Sequence, residues 1–271
     1  MPELPEVETT CRGIQAHIEG QTVLDVIIRQ PKLRWPVSSE LMRLLPGEEI
    51  RKVSRRGKYI LLESGAGCVL IHLGMSGSLR IATDLEKLKK HDHVDIVLKD
   101  GAILRYHDPR RFGCVLWAGS EPHKHMLLEK LGPEPLTEDF NVDHLFVLSR
   151  KRSAAIKTFI MDSHNVVGVG NIYANEALFV AGIRPKRQAG KVSKSAYIKL
   201  VVAIKAILAE AIEQGGTTLR DFVGGDGKPG YFKQSLSVYG RGGEACLKCQ
   251  TLLKEIRVGQ RSTVFCSSCQ N

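Results

Sequence analysis

A chain of 271 residues is longer than one hydrophobic core comfortably organises, so two domains plus a small appendage are expected. Hydrophobic residues make up 43% of it, which excludes a disordered chain, and 39 Lys and Arg against 29 Asp and Glu leave a net charge of +10. The surplus points to a polyanion, nucleic acid before membrane, because no long apolar run, basic amphipathic helix or charged-then-apolar leader is present; a cytosolic location follows.

The chain begins Met-Pro. Removal of Met1 before so small a residue is expected and leaves Pro2 as a free secondary amine. An α-amino group titrates near ~8 against ~10.4 for a lysine, so a far larger fraction is neutral and nucleophilic at neutral pH. Its attack on an aldehyde carbon gives an iminium that stays cationic and acts as an electron sink. Glu3 and Glu6 place two carboxylates beside it. Beyond Pro5, the apolar residues Val7, Cys11, Ile14 and Ile18 recur at helical spacing, and Gly20 ends that helix.

From residue 22 to 118 the pattern becomes that of short strands, with runs at 22–28, 49–53, 59–63, 68–73, 94–98, 103–106 and 114–117. Such runs at such spacing predict an antiparallel sandwich or barrel. Gly-Pro-Glu-Pro at 132–135 reads as a linker, and helices are expected at 142–149, 153–161, 171–181 and 193–214, the last stopped by Gly215 and Gly216. A glycine-rich segment at 224–230 leads into a cysteine-bearing tail.

Of seven cysteines, Cys11, Cys68 and Cys114 lie among apolar neighbours as buried thiols do. The other four form Cys246-x-x-Cys249 and Cys266-x-x-Cys269, the spacing of a four-thiolate zinc site in which two knuckles clamp a β-hairpin. Four protein ligands leave no open position, so this one zinc is read as structural. Strands at 251–258 and 262–265 would flank a bend at 259–261, putting Arg261 at the tip, in reach of a phosphate.

The segments MPELPEVET, HLGMSGSLR (72–80), HDHVD (91–95), DPRRFG (108–113), VGVGNIYANE (167–176), GGTTLRDF (215–222) and DGKPGYF (226–232), with the cysteine tail, resemble formamidopyrimidine-DNA glycosylases. These are bacterial enzymes for oxidised purines. The resemblance runs in order along essentially the whole chain. It implies an α+β multidomain protein: an N-terminal antiparallel β-sandwich with its N-terminal helix (1–132), a helix–two-turn–helix domain (133–236) and a zinc-finger β-hairpin (237–271). It also implies a monomer that acts on damaged double-stranded DNA without a small-molecule cofactor, and that associates with the nucleoid through DNA.

Carried over by residue, the resemblance makes Pro2 the amine that attacks C1′ of the damaged nucleotide, and Glu3 the acid that protonates the opening deoxyribose. Glu6 assists, Lys58 is both a phosphate ligand and a participant in elimination, and Arg261, at the tip of the finger, is counted with these catalytic residues as the one that reaches a phosphate. Met75, Arg110 and Phe112 correspond to the plug that fills the gap left by an everted base, Arg110 pairing with the orphaned partner. His91, Arg152, Asn171 and Arg220 correspond to DNA contacts, and 217–231 to a lid over the base. The second knuckle, Cys266-Ser267-Ser268-Cys269, lacks a proline common after its first cysteine, and Arg220 stands where a lysine is also seen.

Two other readings remain open on sequence. A sister branch removes oxidised pyrimidines with the same amine, acid and lysine; Met75, Arg110, Phe112 and the full lid argue against it. A non-catalytic zinc-finger DNA-binding module would keep Met1 and use Pro2 as a helix start. A tautomerase with an N-terminal proline base explains neither charge nor zinc.

Overall fold

The computed structural model describes residues 2–83, 87–216 and 236–271. One compact unit comprises the chain up to Lys130 together with the stretch 214–216; the second is Leu131–Glu213 with the C-terminal residues up to Asn271.

In the first unit, helix α1 (Leu4–Ile18) opens with Glu3 as N-cap, a proline in its first turn and Glu6 at the third position of a capping box. Proline's fixed φ suits the first turn, where its missing N–H costs nothing, and the box satisfies backbone donors that every helix start leaves over. Leu4, Val7, Cys11, Ile14 and Ile18 form its buried stripe. Eight strands follow: β1 (Val23–Ile28), β2 (Lys52–Arg56), β3 (Tyr59–Glu63), β4 (Cys68–His72), β5 (Ser78–Ala82), β6 (Asp92–Leu98), β7 (Ile103–His107) and β8 (Cys114–Gly119), with the short helix α2 (Glu40–Leu44) between β1 and β2. They form two antiparallel four-stranded sheets, ordered β1-β6-β7-β5 and β2-β3-β4-β8. One core joins them: Val23, Val26, Val94, Ile96 and Leu104 from the first sheet pack with Ile60, Leu62, Val69, Ile71 and Val115 from the second, along the stripe of α1. This is the expected sandwich.

Strand β5 and helix α2 were not expected from periodicity. Strand β5, Ser-Leu-Arg-Ile-Ala, has no apolar run, only Leu79 and Ile81 on either side of a charged Arg80, whose guanidinium reaches Asp92 with two hydrogen bonds of 3.0 and 2.8 Å. Such a fork-on-carboxylate pair lets the charge sit inside a strand.

The second unit contains α3 (Val142–Ser149), α4 (Ile156–Met161), α5 (Asn171–Val180) and α6 (Lys194–Glu213), then the hairpin β9 (Lys254–Val258) and β10 (Arg261–Phe265). Helix α4 starts three residues after the expected start because Ala155 is extended and bridges to Gln188. Strand β9 likewise starts at 254 rather than 251, since Cys246 N–H donates to Thr251 O and Gln250 takes a left-handed φ of 64°, which commits these residues to the knuckle.

Candidate active site

Pro2 is buried, as are Glu3 and Glu6 at 2% and 0% exposure. Glu6 Oε2 accepts the Glu3 backbone N–H at 2.8 Å, so Glu6 holds the backbone that presents Glu3. Gly216, with φ +79°, closes on the same side chain: a Cβ there would stand 3.3 Å from Glu6 Cγ and Oε1. Glu6 is thus a positioning group under Glu3.

Lys58 is the second residue of a two-residue turn between β2 and β3, where Arg56 pairs with Tyr59 and Gly57 takes φ +58°. A hairpin that tight needs positive φ at its first loop position, which glycine supplies freely, and Lys58 beside it is half-buried. The next strand over carries His72, whose ring lies 4.8 Å from that of Tyr59. Burial first, then the charges of Lys58 and Arg34, push the His72 imidazole down to about 4. It is therefore neutral at physiological pH, and its Nδ1 accepts the Gly74 N–H at 2.9 Å. Sequence reasoning did not single out His72; its place two residues before Gly74 in HLGMSGSLR was the available signal.

That glycine begins the turn bearing Met75, and it is needed there. It has φ +65°, and an added Cβ would fall 2.5 Å from Phe112 C and Gly113 N. The loop carrying Met75 and the loop carrying Arg110 and Phe112 therefore meet backbone on backbone. Arg110 Cζ lies 4.7 Å from the centre of the Phe112 ring, and Phe112 is 45% exposed. An exposed phenylalanine beside a guanidinium and a half-buried methionine is not a core arrangement. His91 adjoins this loop, since its carbonyl accepts the Asp108 N–H at 3.0 Å. Its Nδ1 is buried without a hydrogen-bond partner among the described residues.

In the second unit, Asn171 is the first residue of α5, with Gly170 as the N-cap. Its Oδ1 is buried with no partner among the described residues, at a helix start where unpaired N–H groups favour an anion. One turn on, Asn175 donates to Asn171 O at 2.6 Å and accepts the Val264 N–H at 3.0 Å, which fastens β10 to α5. Lys157 is fully buried and grips the same strand, its Nζ donating to Ser262 O at 2.8 Å and Thr263 Oγ1 at 2.7 Å. Arg261 leads β10, paired with Val258 across a two-residue turn in which Gly259 and Gln260 have φ of 56° and 60°. It stands beside the tip rather than in it, exposed on a strand anchored at three successive residues. Neither Asn175 nor Lys157 was singled out by spacing: an asparagine or lysine inside an apolar helix gives no sequence sign of what it reaches. Arg152 is exposed, in the bend after α3.

The four tail cysteines have their sulfurs within 4.8 Å of one another, with Cys246 and Cys269 Sγ 3.9 Å apart and Cys249 and Cys266 Sγ 3.5 Å apart. Zinc–sulfur bonds of about 2.3 Å in a tetrahedron demand sulfur separations of roughly 3.8 Å, so the donor set and its spacing fit zinc. Behind it Val238, Leu253 and Val264 pack on Phe179 of α5. Burial, by contrast, pushes Cys11 and Cys68 up to about 12 and Cys114 up to about 11, which leaves these as inert core thiols. Arg220 and the expected lid at 217–231 lie outside the described residues.

Three family models match the chain in order: "Formamidopyrimidine-DNA glycosylase N-terminal domain" at 1–115, "Formamidopyrimidine-DNA glycosylase H2TH domain" at 131–223 and "Zinc finger found in FPG and IleRS" at 243–271. Formamidopyrimidine-DNA glycosylases from Stutzerimonas stutzeri and Cellvibrio japonicus are each 60% identical over 270 residues, covering all of both chains. The chain belongs to the formamidopyrimidine-DNA glycosylase family. Among solved structures, a mutant of the Lactococcus lactis member in complex with Fapy-dG DNA superposes with a TM-score of 0.93 at 34% identity over the whole of both chains. The Thermus thermophilus member superposes at 0.90 with 37% identity, over 99% of this chain and 98% of that one. The four-cysteine cluster is therefore the family's zinc finger, with one structural zinc. Among the described residues, no helix is long and apolar enough to cross a membrane.

Proposed function

We propose that this chain is a bifunctional DNA glycosylase and AP lyase of base excision repair, acting on 8-oxoguanine and formamidopyrimidines in damaged double-stranded DNA. The observation that carries the reading is the buried Pro2-Glu3 pair at the capped head of α1, within a chain 60% identical end to end to formamidopyrimidine-DNA glycosylases. Lactococcus lactis relatives bound to Fapy-dG DNA and to abasic-site DNA support the substrate class.

Once Met1 is removed, the neutral Pro2 amine attacks C1′ of the lesion and the C1′–N9 bond breaks, the base leaving with a proton. Glu3 gives its proton to O4′ as the sugar ring opens, and the nitrogen lone pair forms the C1′=N⁺ iminium. That cation acidifies C2′–H; loss of this proton expels the 3′ phosphate, and a second elimination expels the 5′ phosphate. Glu6 steadies Glu3 through the Glu3 backbone N–H. Lys58, Asn171 and Arg261 hold phosphates, and Lys58 also takes part in the eliminations. Met75 and Phe112 wedge the stack while Arg110 bonds the widowed partner base; His91, Arg152 and Arg220 complete the DNA contacts.

In this reading residues 1–132 form the catalytic domain, 133–236 the helix–two-turn–helix domain with the lid, and 237–271 the finger. The enzyme works as a monomer in the cytoplasm, on the nucleoid. A Lactococcus lactis relative has also been captured with oxidised-pyrimidine DNA, so the purine preference is one of degree.

The test is borohydride trapping on a duplex with 8-oxoguanine opposite cytosine, beside Pro2→Gly and an oxidised-pyrimidine duplex. A covalent adduct, strongest on the purine lesion and much reduced in the variant, is expected. Tight binding with no adduct on either duplex, or an intact mass that retains Met1, would leave a DNA-binding protein without this chemistry.

A further inference from the structure

The loop after β7 contains a carboxylate that touches none of the wedge side chains, yet is bonded to both loops that carry them. Asp108 is 0% exposed. Its Oδ1 accepts from Ser76 Oγ at 2.9 Å and from Arg110 N–H at 3.2 Å. Its Oδ2 accepts from Gly113 N–H at 2.9 Å and from Tyr106 Oη at 3.2 Å. Ser76 follows Met75; Gly113 follows Phe112; Arg110 is bonded directly. The main chain of Asp108 is held as firmly, its N–H donating to His91 O at 3.0 Å and its carbonyl lying 2.8 Å from His93 Nε2.

The two loops have no slack to take up. A Cβ on Gly113 would overlap Tyr106 Oη and His72 O, and one on Gly77 would overlap Leu73 O, so the chain passes these points in the one register that glycine allows. With four donors converging from two loops and a strand, a group with two acceptor oxygens is required. A carboxylate has them; an amide has one, and its NH2 would face two donors.

We propose that Asp108 is the positioning residue of the wedge. It locks the Met75 loop to the Arg110–Phe112 loop, so that the three side chains enter the duplex as one preset unit. This rests on reading Met75, Arg110 and Phe112 as the group that replaces an everted base. Intercalating side chains act against the stacking of an intact duplex, and three that had to find their positions on arrival would lose the advantage of rigidity. Eviction of a base depends on the wedge most; a preformed abasic site has no base to evict and depends on it less.

The experiment compares four full-length proteins, the wild type, Asp108→Asn, Ser76→Ala and the double variant M75A/F112A. Each is assayed on two duplexes, one with 8-oxoguanine opposite cytosine and one with an abasic site. Single-turnover cleavage is read on both, with 2-aminopurine fluorescence beside the lesion reporting stack opening. Asp108→Asn is expected to slow lesion cleavage about 30- to 100-fold and abasic cleavage about threefold, the larger factor matching two lost buried bonds. Ser76→Ala removes a single inter-loop bond, and is expected to slow lesion cleavage by roughly fivefold with the same bias toward the lesion. The double variant should show the bias most strongly. If it does while Asp108→Asn and Ser76→Ala keep the wild-type ratio of the two rates, the role of Asp108 is overturned and the wedge stands. If the double variant keeps the wild-type ratio, the wedge reading fails, and this inference with it. Should Asp108→Asn fold poorly, Ser76→Ala decides: equal slowing on both duplexes would mean that Asp108 only holds the domain together, which also overturns the proposal.

Discussion

Replacement of Glu176 by glutamine should loosen the zinc finger from within the second unit. The Glu176 carboxylate is 3% exposed on α5 and accepts three consecutive backbone N–H groups, those of Ser237 on Oε2 at 2.8 Å and of Val238 and Tyr239 on Oε1 at 2.9 and 2.8 Å. These residues begin the segment that runs into the first knuckle. In the glutamine variant the two bonds to Oε1 survive as neutral bonds, each weaker by about 1 kcal/mol, while the Ser237 N–H faces an NH2 and loses a charge-assisted bond of roughly 1.5–3 kcal/mol. Against this, a buried charge no longer has to be desolvated. The net expectation is a loss of about 2–4 kcal/mol in the local stability of the finger's attachment. If zinc escapes through local opening, its release to a chromophoric chelator should speed up by the same factor, about 30- to 1000-fold. The assay is that release rate on the whole protein in native buffer, with far-UV circular dichroism to show that the rest stays folded. An acceleration of less than about threefold would refute the claim that this carboxylate anchors the finger.

Two further outcomes are expected. Because burial, with the charges of Lys58 and Arg34, holds His72 near 4 against an ordinary 6.5, unfolding lets it take up a proton between those values. Its contribution is therefore complete above about pH 6.5 and lost as pH falls toward 4, by at most about 3 kcal/mol. Urea midpoints measured near pH 7 and pH 5 should diverge in the wild type and draw together in His72→Gln; parallel shifts in both proteins would contradict this. Arg261→Ala should retain zinc, because β10 is held by Lys157 and Asn175 rather than by Arg261, yet should weaken DNA binding and flatten its salt dependence by about one counterion. Loss of zinc from that variant, by atomic absorption, would show Arg261 to be structural.

Much of this protein was legible in its sequence because the signals are local. Proline at position 2, two acids within one helical turn and paired Cys-x-x-Cys knuckles are arrangements whose chemistry depends on residues a few positions apart. Strand periodicity, likewise, needs only neighbours. The continuous apolar runs of β3 and β4 were visible for that reason, whereas β5 was not, because the ion pair that tolerates Arg80 is completed by Asp92, twelve residues away.

Tertiary structure alone decided which residues hold the functional ones in place. Asp108 looks in sequence like any acid in a turn, and becomes a hub only when Ser76, 32 residues away, and Gly113 converge on it. Lys157 and Asn175 read as irregularities in apolar helices until β10 is laid across them, 106 and 89 residues further on. His72 has an ordinary place at a strand end; the fold buries it against Tyr59 and near two cations, which removes its charge. The sequence therefore determined the chemistry available to this protein. The fold determined how firmly that chemistry is aimed, since burial and long-range hydrogen bonds exist only after distant segments have packed.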